Sequence, residues 1–195
     1  MAIWITSDLH WGHASIISYC SRPFESVEHM NQVLIKNWNE CVRPNDTIYV
    51  VGDMALCSYK EFEPIAKQLN GIKYLIKGNH DHYSIGQYNK LGFTVFEEVK
   101  MKLAGKTVRL SHYPYWLPWY KRLFAFKSQL RYPERRPPKI PGEYLIHGHS
   151  HAKYKMAGNS IHVGVDANNF YPVSAKEIES WIAISQKPWT YEGKW

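Results

Sequence analysis

The sequence predicts an α/β fold in which two mixed β-sheets pack together and are flanked by helices. Apolar segments typical of strands alternate with helical segments in the early part of the 195 residues. Hairpins follow later, with Ala104-Gly105-Lys106 as one predicted turn. Alternating strands and helices favour parallel pairing, and hairpins are antiparallel, so the two patterns together indicate mixed sheets.

Each element is predicted from its hydrophobic pattern and its boundary residues. The strand regions are residues 2–5, 47–51, 72–76, 93–110, 144–146 and 160–163. The helical regions are residues 13–19, 26–41, 59–69, 84–90 and 175–184. The second helix has the clearest pattern, because Met30, Leu34 and Trp38 recur at helical spacing and Ser26 is a suitable N-cap.

Composition indicates one globular domain over residues 1–195. A hydrophobic content of 45% with 15% aromatic residues is too high for a disordered chain. The chain begins directly in a strand, without the features of a secretion signal, and no apolar run approaches the ~20 residues of a membrane span. We therefore expect a cytoplasmic protein with no membrane partner. The three cysteines are too few and scattered for a disulfide framework, which indicates free thiols.

Five short polar motifs follow the predicted strands in order. They are Asp8-Leu9-His10, Gly52-Asp53, Gly78-Asn79-His80-Asp81, His112 and Gly148-His149-Ser150-His151. Each motif supplies oxygen or imidazole ligands at the end of a strand. Because the ends of several strands can meet at one rim of a sheet, these ligands can converge on a dinuclear metal centre.

The ordered motifs resemble those of the calcineurin-like metallophosphoesterase superfamily, whose pattern is D-x-H, G-D, G-N-H-[DE], H and G-H-x-H. All of them are present between Asp8 and His151. Residues 163–174 also resemble the closing segment of small bacterial and phage members. The resemblance implies a four-layer α/β/β/α sandwich and a single metallophosphoesterase domain.

The resemblance also implies two metal sites that share one carboxylate. One ion would be held by Asp8, His10 and His151, the other by Asn79, His112 and His149, with Asp53 as the bridge. A carboxylate can span two metals ~3.5–4 Å apart. The mixed oxygen and imidazole set suits two divalent transition-metal ions, with Mn²⁺ expected first and Fe, Ni, Co or Zn as alternatives.

The implied reaction is attack of a metal-bridging hydroxide on a phosphoester. His80 lies outside the ligand sets and is the candidate catalytic acid at the leaving group. Asp81 is predicted to be catalytic through orienting His80. Gly52, Gly78 and Gly148 precede ligands, where a side chain would crowd the metals or a positive φ is needed.

The remaining histidines need separate interpretation. His13 follows the first motif, and it is either a substrate contact or a surface residue at a helix start. His147 should point away from His149 because side chains alternate along a strand, which favours a core histidine with its hydrogen bonds made. His162 is expected to be structural.

Residues 113–142 are predicted to form a basic, aromatic and proline-rich insertion between two ligand motifs. They contain six of the eleven prolines, and seven Lys or Arg residues against the single acid Glu134. We expect this insertion to cover the metals and to bind the non-reacting part of an anionic substrate, with Arg135 and Arg136 as candidate contacts. The alternative is a solvated loop that only aids solubility.

The predicted activity is phosphodiester hydrolysis on a nucleotide or similar small anionic phosphoester. Phosphoprotein phosphatases of the same superfamily carry an arginine after the Gly-Asp motif, and residues 52–58 lack it. The alternatives are a small-molecule phosphomonoesterase and a non-catalytic protein that binds nucleic acid through the basic insertion. A metal-free scaffold is disfavoured because all seven ligands are retained.

Overall fold

The computed structural model describes residues 1–116 and 131–185. Its first sheet has five strands, namely β1 (Ile3–Thr6), β2 (Thr47–Val51), β3 (Ile72–Ile76), β4 (Phe93–Phe96) and β10 (Val173–Ser174). Strands β1 to β4 are parallel neighbours, and β10 pairs antiparallel with the free edge of β1. All four parallel strands therefore end at the same edge of the sheet.

The second sheet also has five strands, namely β5 (Val99–Leu103), β6 (Lys106–Leu110), β7 (Tyr144–His147), β8 (Met156–Ala157) and β9 (Ser160–His162). Its order is β5-β6-β7-β9-β8, with β6, β7 and β9 parallel and both edge strands antiparallel. An isolated bridge between Ser7 and Gly164 connects the two sheets beyond the ends of β1 and β9. The predicted mixed sheets are confirmed.

The helices are α1 (Ala14–Tyr19), α2 (Val27–Cys41), α3 (Tyr59–Ala66), α4 (Ile85–Lys90) and α5 (Ala175–Ser185). The buried face of α2 packs on the first sheet, where Met30, Leu34 and Trp38 join Ile48 and Val50 in one core cluster. A second cluster fills the space between the sheets and extends to Ile178 and Ile182 of α5. Two mixed sheets flanked by helices form the α/β sandwich expected from the sequence.

Most element boundaries agree with the sequence patterns. Ser26 caps α2, since its hydroxyl accepts a hydrogen bond from the His29 amide at 3.1 Å. Ala104 and Gly105 both have positive φ, as a two-residue hairpin turn between β5 and β6 requires. Helix α3 is shorter than predicted, because its last turn tightens to an i→i−3 bond from Leu69 to Ala66.

The short strands β8 and β10 were not predicted, because two residues are too few to show a periodic pattern. Within residues 1–116 and 131–185, no helix has the length and apolar character needed to span a membrane. The predicted insertion is described only at residues 113–116 and 131–142, which include a short 3₁₀ helix at Pro133–Arg135. Its other basic and aromatic residues lie outside the described part of the chain.

Candidate metal centre

All seven predicted ligands lie just beyond the carboxyl ends of parallel strands. Asp8 and His10 follow β1, Asp53 follows β2, Asn79 follows β3, His112 follows β6, and His149 and His151 follow β7. The bridge between Ser7 and Gly164 holds the two sheets together at this rim. The side chains of five separate motifs therefore converge in one place.

Five of the seven ligands have a left-handed backbone, which non-glycine residues rarely adopt. The φ values are 58° at Asp8, 53° at His10, 52° at Asp53, 67° at His149 and 49° at His151. Such conformations cost on the order of 1–3 kcal/mol each, and they cluster at functional sites. Backbone bonds between the first two motifs, from the Asp8 amide to Gly52 and from the His10 amide to Asp53, hold them in place.

The glycines before the ligands are needed chiefly for space. Gly52 has a φ of +83°, and a positive φ is one of the two reasons predicted for a glycine before a ligand. Gly78 and Gly148 have no positive φ, but a Cβ on Gly78 would collide with the Asp53 carboxylate. A Cβ on Gly148 would collide with the side chains of Ser7 and Asp8. Crowding at the ligands, rather than chain reversal, explains these two glycines.

The second ligand set forms a compact group of facing nitrogen and oxygen atoms. Asn79 Oδ1 is 3.1 Å from His112 Nε2 and 2.9 Å from His149 Nδ1. The two imidazole nitrogens are 3.3 Å apart, and Asp53 Oδ1 is 3.4 Å from His112 Nε2. A tetrahedral ion with bonds of ~2.0–2.1 Å requires ligand separations of roughly 3.3–3.4 Å. These spacings fit a transition-metal ion.

Asp53 also faces the first ligand set, through its other carboxylate oxygen. Candidate ligand atoms of Asp8, His10 and His151 all lie within 4.8 Å of one another. Asp53 Oδ2 is 3.6 Å from His10 Nε2, so its two oxygens face different ligand sets. His10 is 1% exposed, and neither ring nitrogen has a hydrogen-bond partner among the described residues. A buried imidazole without partners fits a metal ligand.

Burial and close charged neighbours shift the pKa values of the ligand cluster. Burial raises the pKa of Asp8. Burial opposes ionisation of Asp53 too, but the neighbouring His112 and His10 hold its pKa well below the usual range. Burial would lower the pKa of His112, yet the Asp53 carboxylate raises it to about 9. Burial and the nearby His112 lower the pKa of His149 to about 3. The neutral imidazole is the form of His149 that can bind a metal.

His80 lies beside the cluster without belonging to either ligand set. Its backbone amide donates to Asp53 Oδ1 at 2.9 Å, and its ring centroid is 5.4 Å from that of His10. The side chain is half-buried and lines the cavity above the ligands. It is therefore placed where a substrate leaving group could reach it, and its role as an acid stays a prediction.

The structure corrects the predicted role of Asp81. Its Oδ2 accepts from the amides of Asp53 at 2.9 Å and Gly78 at 2.7 Å. Its Oδ1 accepts from the Met54 amide at 2.9 Å and the Tyr88 hydroxyl at 3.2 Å. Asp81 thus ties the second and third motif loops together instead of orienting the His80 ring. The sequence could not show this, because the partners in the second motif loop, Asp53 and Met54, are 28 and 27 residues away along the chain.

Two of the three predicted substrate contacts, His13 and Arg136, line the cavity. Arg135 does not line it; the guanidinium is exposed and donates to the Tyr113 hydroxyl at 3.3 Å. His147 is the predicted core histidine, with its nitrogens 2.9 Å from the Gly148 carbonyl oxygen and 2.8 Å from the Ser160 hydroxyl.

A cavity of about 740 Å³ opens over the ligands. Its lining combines ligand side chains with residues of the basic insertion, including Tyr115, Arg131, Tyr132 and Arg136. Arg131 and Tyr132 were not predicted individually, although the charge pattern marked their segment. The volume lies within the range of small-molecule sites, which is roughly 300–1,000 Å³.

Two residues with buried side chains near the ligands were also not predicted, namely Arg22 and Asp166. Asp166 lies in the segment 163–174, which resembles the closing segment of small bacterial and phage members, but the sequence alone predicts no role for it. Cys20, His151 and Asp166 bring potential ligand atoms within 4.8 Å of one another. Both Asp166 oxygens are engaged by Arg22, and one also by His151, so this group is poorly suited to a further ion.

The chain matches a protein family and several known proteins along most of its length. The model of the calcineurin-like phosphoesterase superfamily domain matches residues 1–164. The chain is 33% identical to the uncharacterized protein MJ1445 of Methanocaldococcus jannaschii, covering 92% of this chain and 90% of that protein. It is 31% identical to the gene 66 protein of Mycobacterium phage L5, covering 84% of this chain and 86% of that protein.

Among solved structures, the chain is similar to the protein of unknown function AQ665 from Aquifex aeolicus. The TM-score is 0.69 at 26% identity, covering 92% of this chain and 98% of the other. The family match spans every ligand motif, from Asp8 to His151. The chain therefore belongs to the calcineurin-like phosphoesterase superfamily.

Proposed function

We propose that this protein is a dinuclear metal-dependent phosphodiesterase that acts on a nucleotide or a similar small phosphodiester. The observation that carries the proposal is the position of Asp53, whose two oxygens face two separate ligand sets. Mn²⁺ is the proposed ion at both sites, because the ligands mix carboxylate, amide and imidazole groups. When bound, two such ions activate water and neutralise charge on the phosphoryl oxygens.

The residues of the chain then have distinct tasks. Only two of the seven ligands, Asp8 and Asp53, carry negative charge, so two divalent ions leave a positive site that attracts phosphate. The His80 imidazole donates a proton to the leaving oxygen. Arg131 and Arg136 line the same cavity and bind the non-reacting part of an anionic substrate.

The proposed substrate class rests on the composition of the cavity. Arginines can pair with phosphate, while Tyr115 and Tyr132 supply aromatic surface on which a base can stack. The test is turnover of matched nucleotide diesters and monoesters with Mn²⁺, Ni²⁺ or Mg²⁺. Faster hydrolysis of diesters supports the proposal, and faster hydrolysis of monoesters supports the alternative. Oligonucleotide binding without any hydrolysis would favour the non-catalytic alternative.

Removal of Arg131 should weaken binding of nucleotide substrates selectively. We expect Arg131→Ala to raise KM for a nucleotide diester about 3–10-fold, because the exposed guanidinium contributes a partly screened charged contact. A minimal nitrophenyl ester should show a smaller change. The matched control is Arg135→Ala, an exposed arginine from the same loop that does not line the cavity. Equal KM values for both variants and wild type would exclude Arg131 from substrate recognition.

Removal of metal should destabilise the fold. Ligands present at ~1,000 times their Kd stabilise a protein by about 4 kcal/mol, which corresponds to a shift of roughly 10 °C for a domain of this size. We therefore expect chelator-treated protein to melt at least about 5 °C lower in calorimetry. Mn²⁺ should restore the melting temperature, and Ca²⁺ should not, because Ca²⁺ prefers oxygen ligands. An unchanged melting temperature would contradict metal binding.

A further inference from the structure

A buried arginine connects the first metal-ligand motif to the last part of the fold. Arg22 follows α1, and its Nη2 donates to the Asp8 carbonyl at 2.7 Å while Nη1 donates to the Leu9 carbonyl at 3.1 Å. The same guanidinium pairs with Asp166 through two bonds of 2.9 Å, from Nε to Oδ1 and from Nη2 to Oδ2. One side chain therefore holds both the backbone at Asp8 and the Asp166 carboxylate.

Asp166 in turn contacts a metal ligand directly. Its Oδ2 is 2.8 Å from Nδ1 of His151. A hydrogen bond at Nδ1 fixes the ring orientation and leaves Nε2 as the nitrogen for a metal. Carboxylates in this position raise the basicity of a ligating histidine. Asp8 and His151 belong to the same ligand set, so Arg22 and Asp166 act on both of them.

The network is shielded from water. The side chains of Arg22 and Asp166 are 0% and 4% exposed. The two-bond arginine–carboxylate contact has a defined geometry, and loss of one partner leaves an uncompensated buried charge. The Asp8 carbonyl belongs to a residue with a φ of 58°, a conformation that needs external support. The contacts from Arg22 supply such support.

We propose that Arg22 and Asp166 are positioning residues for the ion held by Asp8, His10 and His151. Arg22 fixes the first motif and the Asp166 carboxylate, and Asp166 fixes the ring of His151. The inference rests on the dinuclear centre proposed above. It assigns a role in metal affinity to two residues that lie outside the ligand motifs.

The test is metal binding by the Asp166→Asn variant, measured by calorimetric titration of metal-free protein with Mn²⁺. Loss of such a partner typically weakens metal affinity about 10–100-fold. We expect a loss of this size at one of the two sites, with the affinity of the other changed less than about 3-fold. Cobalt-loaded protein should show altered visible absorption bands for the same site.

The matched control is Glu143→Gln, which weakens another buried arginine–carboxylate pair. Glu143 Oε1 accepts from Arg109 Nε at 2.5 Å, and the pair makes no hydrogen bond to a ligand residue within the described chain. This control should lose stability while keeping both metal affinities. If Asp166→Asn does the same, its role is only structural and the inference is overturned.

A second variant keeps the test decisive if Asp166→Asn does not fold. Arg22→Lys retains the charge but not the two-bond geometry, so it should also weaken one metal site. Unchanged affinity in a folded Arg22→Lys protein would overturn the inference while the proposed function stands. A wild-type protein that takes up no Mn²⁺ would overturn both.

Discussion

Asp53→Asn is expected to abolish most metal-dependent turnover and to weaken both metal sites together. An asparagine has one carbonyl oxygen and no charge, so it cannot bridge two ions as a carboxylate does. Loss of a residue that merely supports a ligand typically costs 10–100-fold in affinity or activity, and loss of a bridge should cost more. We expect kcat/KM to fall by at least about 10³-fold, measured with a phosphodiester at saturating Mn²⁺.

The control for this variant is Asp46→Asn. Asp46 is also a buried carboxylate, and it accepts hydrogen bonds from the amides of Ala2 at 2.7 Å and Arg43 at 3.1 Å. It lies before β2, away from the carboxyl ends that carry the ligands. Asp46→Asn should lower stability while keeping metal content and turnover. An Asp53→Asn protein with wild-type metal content would refute the bridging role.

His80→Ala is expected to keep its metals and lose most of its turnover. General acid catalysis contributes typically 10²–10⁴-fold, so kcat should fall by about this factor for substrates with poor leaving groups. The loss should shrink for nitrophenyl esters, because their leaving group needs little protonation. Elemental analysis of the same preparation should find the wild-type metal content, since His80 contributes no ligand atom to either set.

The neighbouring histidine provides the matched control. His82 is exposed, its ring centroid is 6.2 Å from that of His80, and it does not line the cavity. His82→Ala should therefore retain nearly full activity on every ester. An equal loss for good and poor leaving groups in His80→Ala would show that His80 does not act as an acid.

The fold and the ligand rim could be predicted from the sequence because their signals are local. Each ligand follows its own strand within a few residues, and parallel strands deliver their carboxyl ends to one edge. The pattern at Thr47–Val51 is complete in five residues, and Asp53 follows directly. Likewise, Ser26 caps its own helix through a bond that spans three residues.

The supporting contacts could not be predicted because they connect distant parts of the chain. Arg22 and Asp166 are 144 residues apart, and nothing local to either residue indicates the partner. The Asp81 carboxylate accepts amides from a loop 27 and 28 residues away. Asp81 follows His80 in the sequence motif, which predicts a contact between the two side chains, but the Asp81 carboxylate binds other groups instead.

Within the basic insertion, the sequence could not predict which individual side chains face the site. Its charge pattern predicts arginines near the site but does not distinguish Arg136, which lines the cavity, from its exposed neighbour Arg135. Arg135 is the last residue of the 3₁₀ helix, whereas Arg136 follows it with an extended backbone. The two neighbouring side chains therefore leave the chain in different directions, and no periodic sequence pattern predicts this change.

Metal stoichiometry, followed together with activity, tests the central claim most directly. Metal-free protein is titrated with Mn²⁺ while bound ion and phosphodiester hydrolysis are measured in the same samples. The dinuclear account predicts binding that saturates at two ions per chain, with activity reaching its maximum only as the second site fills. Full activity in metal-free protein, or full activity with only one Mn²⁺ bound per chain, would contradict it.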